Sequence, residues 1–121
     1  MDCIFCQHDR PLLAQTERSF AFLDAFPVSK GHTLIVSRRH VATIWELTND
    51  EYMDAFDLIR QVKDILQGEF EPQGFNIGVN CGEAAGQTVF HAHIHIIPRY
   101  RGDVANPRGG VRNIILGKGN Y

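Results

Sequence analysis

Three histidines at alternate positions, His91, His93 and His95, lie in the stretch GQTVFHAHIHIIP from Gly86 to Pro98. A strand turns successive side chains to opposite faces, so these three share one face and Ala92, Ile94 and Ile96 take the other. The aliphatic face reads as core and the imidazole face as chemistry. A neutral imidazole is a good nucleophile and a good leaving group, and it titrates near physiological pH. Flanked by imidazoles that donate to anionic oxygen, it suits attack on phosphorus. One metal held by all three is awkward: the outer pair lie about 13 Å apart along a strand, against ligand bonds of ~2 Å. The histidines are therefore expected to divide their labour. Gly86, Gln87 and Thr88, just upstream, offer backbone donors, an amide and a hydroxyl. Such groups can hold a phosphoryl group through a charge-dispersed transition state.

A second set of reactive side chains lies at the other end of the chain. Cys3 and Cys6 form C-x-x-C, and Cys81 is the third cysteine. Three cysteines exclude a fully paired disulfide framework, and C-x-x-C in a reducing compartment points to zinc or redox chemistry in about equal measure. A closed tetrahedral zinc site needs two more ligands, for which His8, His32, His40 and His91 are the candidates.

The elements that must position these groups are short. FAFLD (Phe20 to Asp24) reads as a strand with Phe20, Phe22 and Asp24 on one face. FPVSKGH is turn chemistry, and HTLIVS then alternates His32, Leu34 and Val36 against Thr33, Ile35 and Ser37. Thr48 and Glu51 form a capping box that opens a helix. Its expected apolar stripe is Tyr52, Phe56, Ile59, Val62 and Leu66, widened by Met53 and Ile65, with Gly68 as the C-terminal cap. FNIGVN (Phe75 to Asn80) alternates as a half-buried strand, and the loop CGEAAGQT leads into the histidines. VRNIILG is expected to be a last strand or a partner-contacting arm, and Trp45 a lid or subunit contact. Adjacent strands with one main helix predict an α+β fold with an antiparallel sheet.

Composition narrows the class. With 121 residues the chain reads as one domain, and 44% hydrophobic and 21% charged residues are ordinary for a soluble globular protein. No apolar run nears the ~20 residues of a membrane span, and MDCIFCQHDR does not read as a signal peptide, so a cytoplasmic location is expected. The net charge of −2 argues against a nucleic-acid binder, although from Arg99 onward five basic residues face one acid.

GQTVFHAHIHIIP resembles the signature of the histidine triad (HIT) superfamily, and CIFC, AFLD, GHTLIV followed by RRH, NIGVNCG and HIIPRYRGD resemble corresponding segments of its bacterial members. The resemblance implies a HIT-like fold: an antiparallel sheet of about five strands with one main helix and a short one, dimerising. It implies a single HIT domain over residues 1–121, with 101–121 as a C-terminal extension or arm. The implied activity is hydrolysis or nucleotidyl transfer at the α-phosphate of adenine or other purine nucleotides, dinucleoside polyphosphates or nucleoside phosphoramidates. His93 would attack and form a nucleotidyl-histidine that water resolves. His95 and His32 would bind α-phosphate oxygens, Gln87 would bridge to the leaving group, and Thr88 would touch phosphate. Asn80 would lie near phosphate or ribose, Asp24 would hold the ribose hydroxyls, and Ile4, Phe5, Phe22 and Leu34 would form the base pocket. Members bearing C-x-x-C imply a structural zinc on Cys3, Cys6, His40 and His91. The partners implied are a purine nucleotide and a second copy of the chain, with no membrane and no nucleic acid. The competing expectations are a zinc-stabilised nucleotide-binding dimer acting as a sensor with little catalysis, and a metal-storage module.

Overall fold

Alternation of apolar residues decides the sheet, and the five strands pair antiparallel throughout. The computed structural model describes residues 3–119. The strands are β1 (Ala14–Gln15), β2 (Ser19–Leu23), β3 (Thr33–Ser37), β4 (Gly74–Gly78) and β5 (His93–Arg99), in the order β1-β2-β3-β5-β4. Between β3 and β4 runs the single α-helix of the described residues, α1 (Asn49–Phe70). Three short 3₁₀ turns, at Ile44–Glu46, Glu83–Ala85 and Gly110–Ile114, complete the described elements. The two-residue β1 carries no periodic signal of its own; it exists because Ala14 and Gln15 meet Ala21 and Phe20 of β2.

One face of the sheet is covered by α1. Ala21, Ile35, Ile94 and Ile96 pack there against Ala55, Leu58, Val62 and Leu66. The opposite face carries a second cluster, Phe5, Phe20, Phe22, Leu34 and Val36, which the N-terminal segment covers through Phe5. The histidines belong to this second face. Register puts Val36 opposite His93 and Leu34 opposite His95 on the neighbouring strand.

Thr48 does cap α1: its hydroxyl accepts from the Glu51 amide at 3.2 Å, and the Glu51 carboxylate accepts from the Thr48 amide at 2.8 Å. The expected stripe holds at Val62 and Leu66, which are buried, and at Ile59, which packs against the core, but not at its start. Ala55 and Leu58 are buried, whereas Met53 and Phe56 lie 68% and 61% exposed. Two apolar rows run along this helix, and the sheet accepts the one whose small Ala55 permits close approach. Gly68 is not the cap. The helix runs past it to Phe70, and Glu71 takes the left-handed conformation (φ 53°) before Pro72 prevents continuation.

Gly31 closes the turn into β3 with φ 91°, and a Cβ there would meet Phe70 at 2.9 Å, so helix end and turn approach more closely than any other residue allows. The histidine strand starts later than its pattern predicts: β5 begins at His93, and His91 sits in the bend before it. Ala92 still bonds outward at both ends, its amide to Val41 carbonyl at 2.8 Å and its carbonyl to the Ser37 amide at 3.3 Å. VRNIILG is not a strand; its first part is the 3₁₀ turn, and Ile114, Ile115 and Leu116 are exposed. Trp45 is exposed too. No helix among the described residues is long and apolar enough to cross a membrane.

Candidate functional site

β5, together with the bend before it, carries the histidines past two different environments. The first lies at the N-terminal end of that stretch. Cys3 and Cys6, drawn together by the turn between them, meet His91 and His40, the latter just beyond β3. Cys3 Sγ lies 3.4 Å from His91 Nδ1, Cys6 Sγ 3.5 Å from the same atom, and Cys6 Sγ 3.1 Å from His40 Nδ1. All four ligand atoms fall within 4.8 Å of one another. A tetrahedral ion with metal–sulfur bonds of ~2.3 Å and metal–nitrogen bonds of ~2.0 Å spaces its ligand atoms about 3.5 Å apart.

The outer nitrogens agree with that arrangement. His91 Nε2–H donates to Ser37 carbonyl at 2.6 Å and His40 Nε2–H to Phe90 carbonyl at 3.1 Å, which leaves both Nδ1 lone pairs aimed at the sulfurs. These four residues are therefore positioned to hold a metal ion. His8 and His32, the other candidates, are elsewhere. The chain that delivers His40 is fixed to α1 by its neighbour: Arg39 grips the Glu51 carboxylate at 2.8 and 3.2 Å, which holds that acid down to about pKa 2.

The second environment is a cavity of about 400 Å³ on the same sheet face. Ile4, Phe5, Phe22 and Leu34 belong to its apolar lining, and Asp24, Asn80, Gln87, Thr88, His93 and His95 to its polar lining. His93 Nδ1–H donates to the His91 carbonyl at 2.8 Å, so its Nε2 carries the lone pair. Burial lowers its pKa and keeps the ring neutral. Phe5 stands edge-on to it, centroids 4.9 Å apart.

His95 is oriented by a chain of hydrogen bonds. The Val28 amide donates to His32 Nδ1 at 3.1 Å, which places the His32 proton on Nε2. That Nε2–H donates to His95 Nδ1 at 3.0 Å, and Asp24 Oδ2 lies 3.5 Å from the same nitrogen. His95 is left with its proton on Nε2, a donor. Burial, then the neighbouring His93 and His32, push its pKa down to about 4. His32 is 3% exposed, stands behind His95 rather than in the cavity wall, and has both nitrogens engaged with protein.

Gln87 is also occupied. Its carbonyl accepts from the Gly82 amide at 2.8 Å and its amino group donates to the Ala42 and Val89 carbonyls at 2.6 and 3.1 Å. The side chain thus staples the loop that carries Gly86 (φ 91°) and Thr88 along the cavity rim. Apart from His32, every residue expected to bind nucleotide or act in catalysis lines one cavity. Sequence reasoning missed Arg10 and Phe26, which line it too, and left His8 without a role. Nothing in their spacing marks them: Arg10 and His8 reach the site only because their loop folds back over β2, and Phe26 lies in the bend after that strand.

Residues 7–102 match the HIT domain family. The chain is 42% identical over 108 residues to "Protein hit" of Bacillus subtilis, covering 84% of this chain and 74% of that one. It is 39% identical over 104 residues to an adenosine 5'-monophosphoramidase of Schizosaccharomyces pombe, covering 82% of this chain and 75% of the relative. A crystal structure of a HIT family protein from Bacillus anthracis superposes with a TM-score of 0.79 at 40% identity, over 84% of this chain and 76% of that one.

Proposed function

The chain belongs to the HIT domain family, and from that premise we propose that it is a hydrolase acting at the α-phosphate of purine nucleotides through a nucleotidyl-His93 intermediate. The observation that carries this reading is the His93 ring: neutral, locked by the His91 carbonyl, and left with an Nε2 lone pair at a cavity large enough for a nucleotide. Nε2 attacks phosphorus, and the bond from phosphorus to the leaving nitrogen or oxygen breaks with its electron pair. The leaving group takes up a proton. Water then attacks the same phosphorus, loses a proton, and returns the electron pair to Nε2.

The other side chains stabilise the charge that develops. His95 Nε2–H donates to a phosphoryl oxygen, while His32 acts behind it by fixing its tautomer. Thr88 and the backbone at Gly86 stand at the phosphate, positioned by the Gln87 staple. Asp24 faces the ribose, Asn80 lies toward phosphate or ribose, and Ile4, Phe5, Phe22 and Leu34 receive the base. The relative named as an adenosine phosphoramidase supports nucleoside phosphoramidates as the first substrates to try, with dinucleoside polyphosphates next. Zinc on Cys3, Cys6, His40 and His91 is the metal this donor set suits, and its part is structural. The exposed Met53 and Phe56 of α1 and Ile77 on the edge strand β4 support a homodimer.

His93→Ala tests the reading. Turnover of adenosine 5'-phosphoramidate falls by at least about a thousandfold, and radiolabel from the nucleotide no longer becomes attached to the protein through an alkali-stable, acid-labile bond, while the melting curve is kept. Unchanged turnover overturns the assignment; tight nucleotide binding by the wild type with no turnover selects the sensor reading instead.

A further inference from the structure

The cavity has a polar side chain at its far end that the reaction does not use. Arg10 lines it, with its guanidinium carbon 5.7 Å over the centre of the Phe22 ring. His8, beside it, lies parallel on Phe20 and Phe22, with centroids 4.9 and 4.8 Å apart. Arg10 Nε and His8 Nδ1 are buried and have no hydrogen-bond partner in the protein. Both residues line the cavity, and an unpartnered buried polar atom is costly, so neither side chain is there for packing alone.

Register shows which part of a ligand they would meet. His95 on β5 stands opposite Leu34 on β3, which stands opposite Phe22 on β2. Two strand spacings, about 10 Å, therefore separate the histidines from the ring beneath Arg10. A phosphate at His93 and a ribose near Asp24 leave the base beside Phe22, next to Arg10. The walls there, Ile4, Phe5 and Leu34, grip any flat ring equally, so discrimination among bases falls to the polar group.

A guanidinium offers two parallel N–H donors. Guanine and hypoxanthine present two adjacent acceptors, O6 and N7, whereas adenine presents N7 beside an amino donor that faces the fork with the wrong polarity. We propose that Arg10, held over Phe22 at the cavity wall, selects 6-oxopurine nucleotides over adenine nucleotides. This rests on the reading of the cavity as a nucleotide site.

Calorimetric titration of the full-length protein with GMP, IMP and AMP tests it. GMP and IMP bind about tenfold tighter than AMP, a ratio within reach of one bidentate contact. Arg10→Met, which keeps length and cover over Phe22 but removes the donors, brings the ratio to within about twofold. Arg10→Lys recovers only part of it, because an ammonium has no fork. Should the Met variant fail to fold, Arg10→Gln takes its place, and the wild-type ratio stands as a test by itself. AMP binding as tightly as GMP overturns the proposal. So does an equal loss for all three nucleotides in Arg10→Met, which would put Arg10 on phosphate, and so does the absence of any nucleotide binding. Turnover of guanosine and adenosine phosphoramidates is measured alongside: no turnover with the binding preference intact sinks the hydrolase reading and supports base selection.

Discussion

The two ends of the histidine stretch use the same side chain in opposite ways. At the cysteine end, His91 gives its Nε2 proton to Ser37 carbonyl and turns Nδ1 toward the two sulfurs. At the cavity, His93 gives its Nδ1 proton to the His91 carbonyl and turns Nε2 outward. His95 accepts at Nδ1 and presents Nε2–H. A lone pair facing the sulfurs, a lone pair facing the cavity and an N–H donor thus come from three residues of one type. What differs is the partner of the nitrogen that does not face the chemistry. Asp24, His32 and His95 also bring three ligand atoms within 4.8 Å of one another, and there His32 Nε2 and His95 Nδ1 are joined by a hydrogen bond.

If the cysteine end is a metal centre, breaking it has the largest effect. Cys6→Ser removes the sulfur that contacts both histidines. Metal content of the purified protein falls from about one ion per chain toward zero, and the melting temperature drops by about 10 °C, equivalent to roughly 2–3 kcal/mol. Because His93 hangs from the His91 carbonyl, kcat falls as well. Stoichiometric metal in the variant, measured by atomic emission, would remove the contrast between the two ends.

The complementary cut leaves the metal alone. His32→Ala takes the donor from His95 Nδ1 and frees that ring to change tautomer and tilt. A displaced phosphate donor lowers kcat by about 10- to 100-fold, with metal content unchanged. The pH profile adds a second readout. His95, with its pKa near 4, stays neutral through the physiological range, so its contribution to the wild-type acid limb lies well below the ordinary histidine value. Loss of the neighbouring imidazole in the variant removes one of the influences that lower it, and moves that contribution upward. If kcat holds, His95 needs no help from behind.

How much of this was legible in the sequence follows from how local each signal is. The alternation in HAHIHII and the Thr48–Glu51 box depend on neighbours two or three residues away, and both appear in the structure. The residues that the resemblance names for catalysis and nucleotide binding line one cavity, His32 apart. Long-range choices escaped. Whether Phe56 or Ala55 faces the sheet depends on which helix row the strands accept. Gly68 had the chemistry of a cap, but Pro72 sets the end. His91 left the strand because its backbone follows the link from Val41 to Ser37 through Ala92. Arg10 and His8 were invisible for the same reason: only the folded loop puts them on Phe22.

The smallest effect separates the ends by their supports. Arg39 adjoins His40, and its grip on Glu51 ties the cysteine end to α1, while no corresponding tie joins the cavity histidines to the helix among the described contacts. Glu51→Gln weakens that grip and the capping box together, which destabilises by about 1–2 kcal/mol. The Glu51 carboxyl sits at about pKa 2 in the fold and near 4.5 without it. Its depressed pKa therefore contributes stability that is present above about pH 4.5 and is lost as pH falls toward 2. The melting-temperature gap between wild type and variant narrows across that window, whatever the metal does in both. Metal affinity falls modestly because His40 is less well held, and kcat at saturating metal is unchanged. A gap that does not depend on pH would mean that Glu51 acts by packing alone, and a fall in kcat would mean that the two ends share a support.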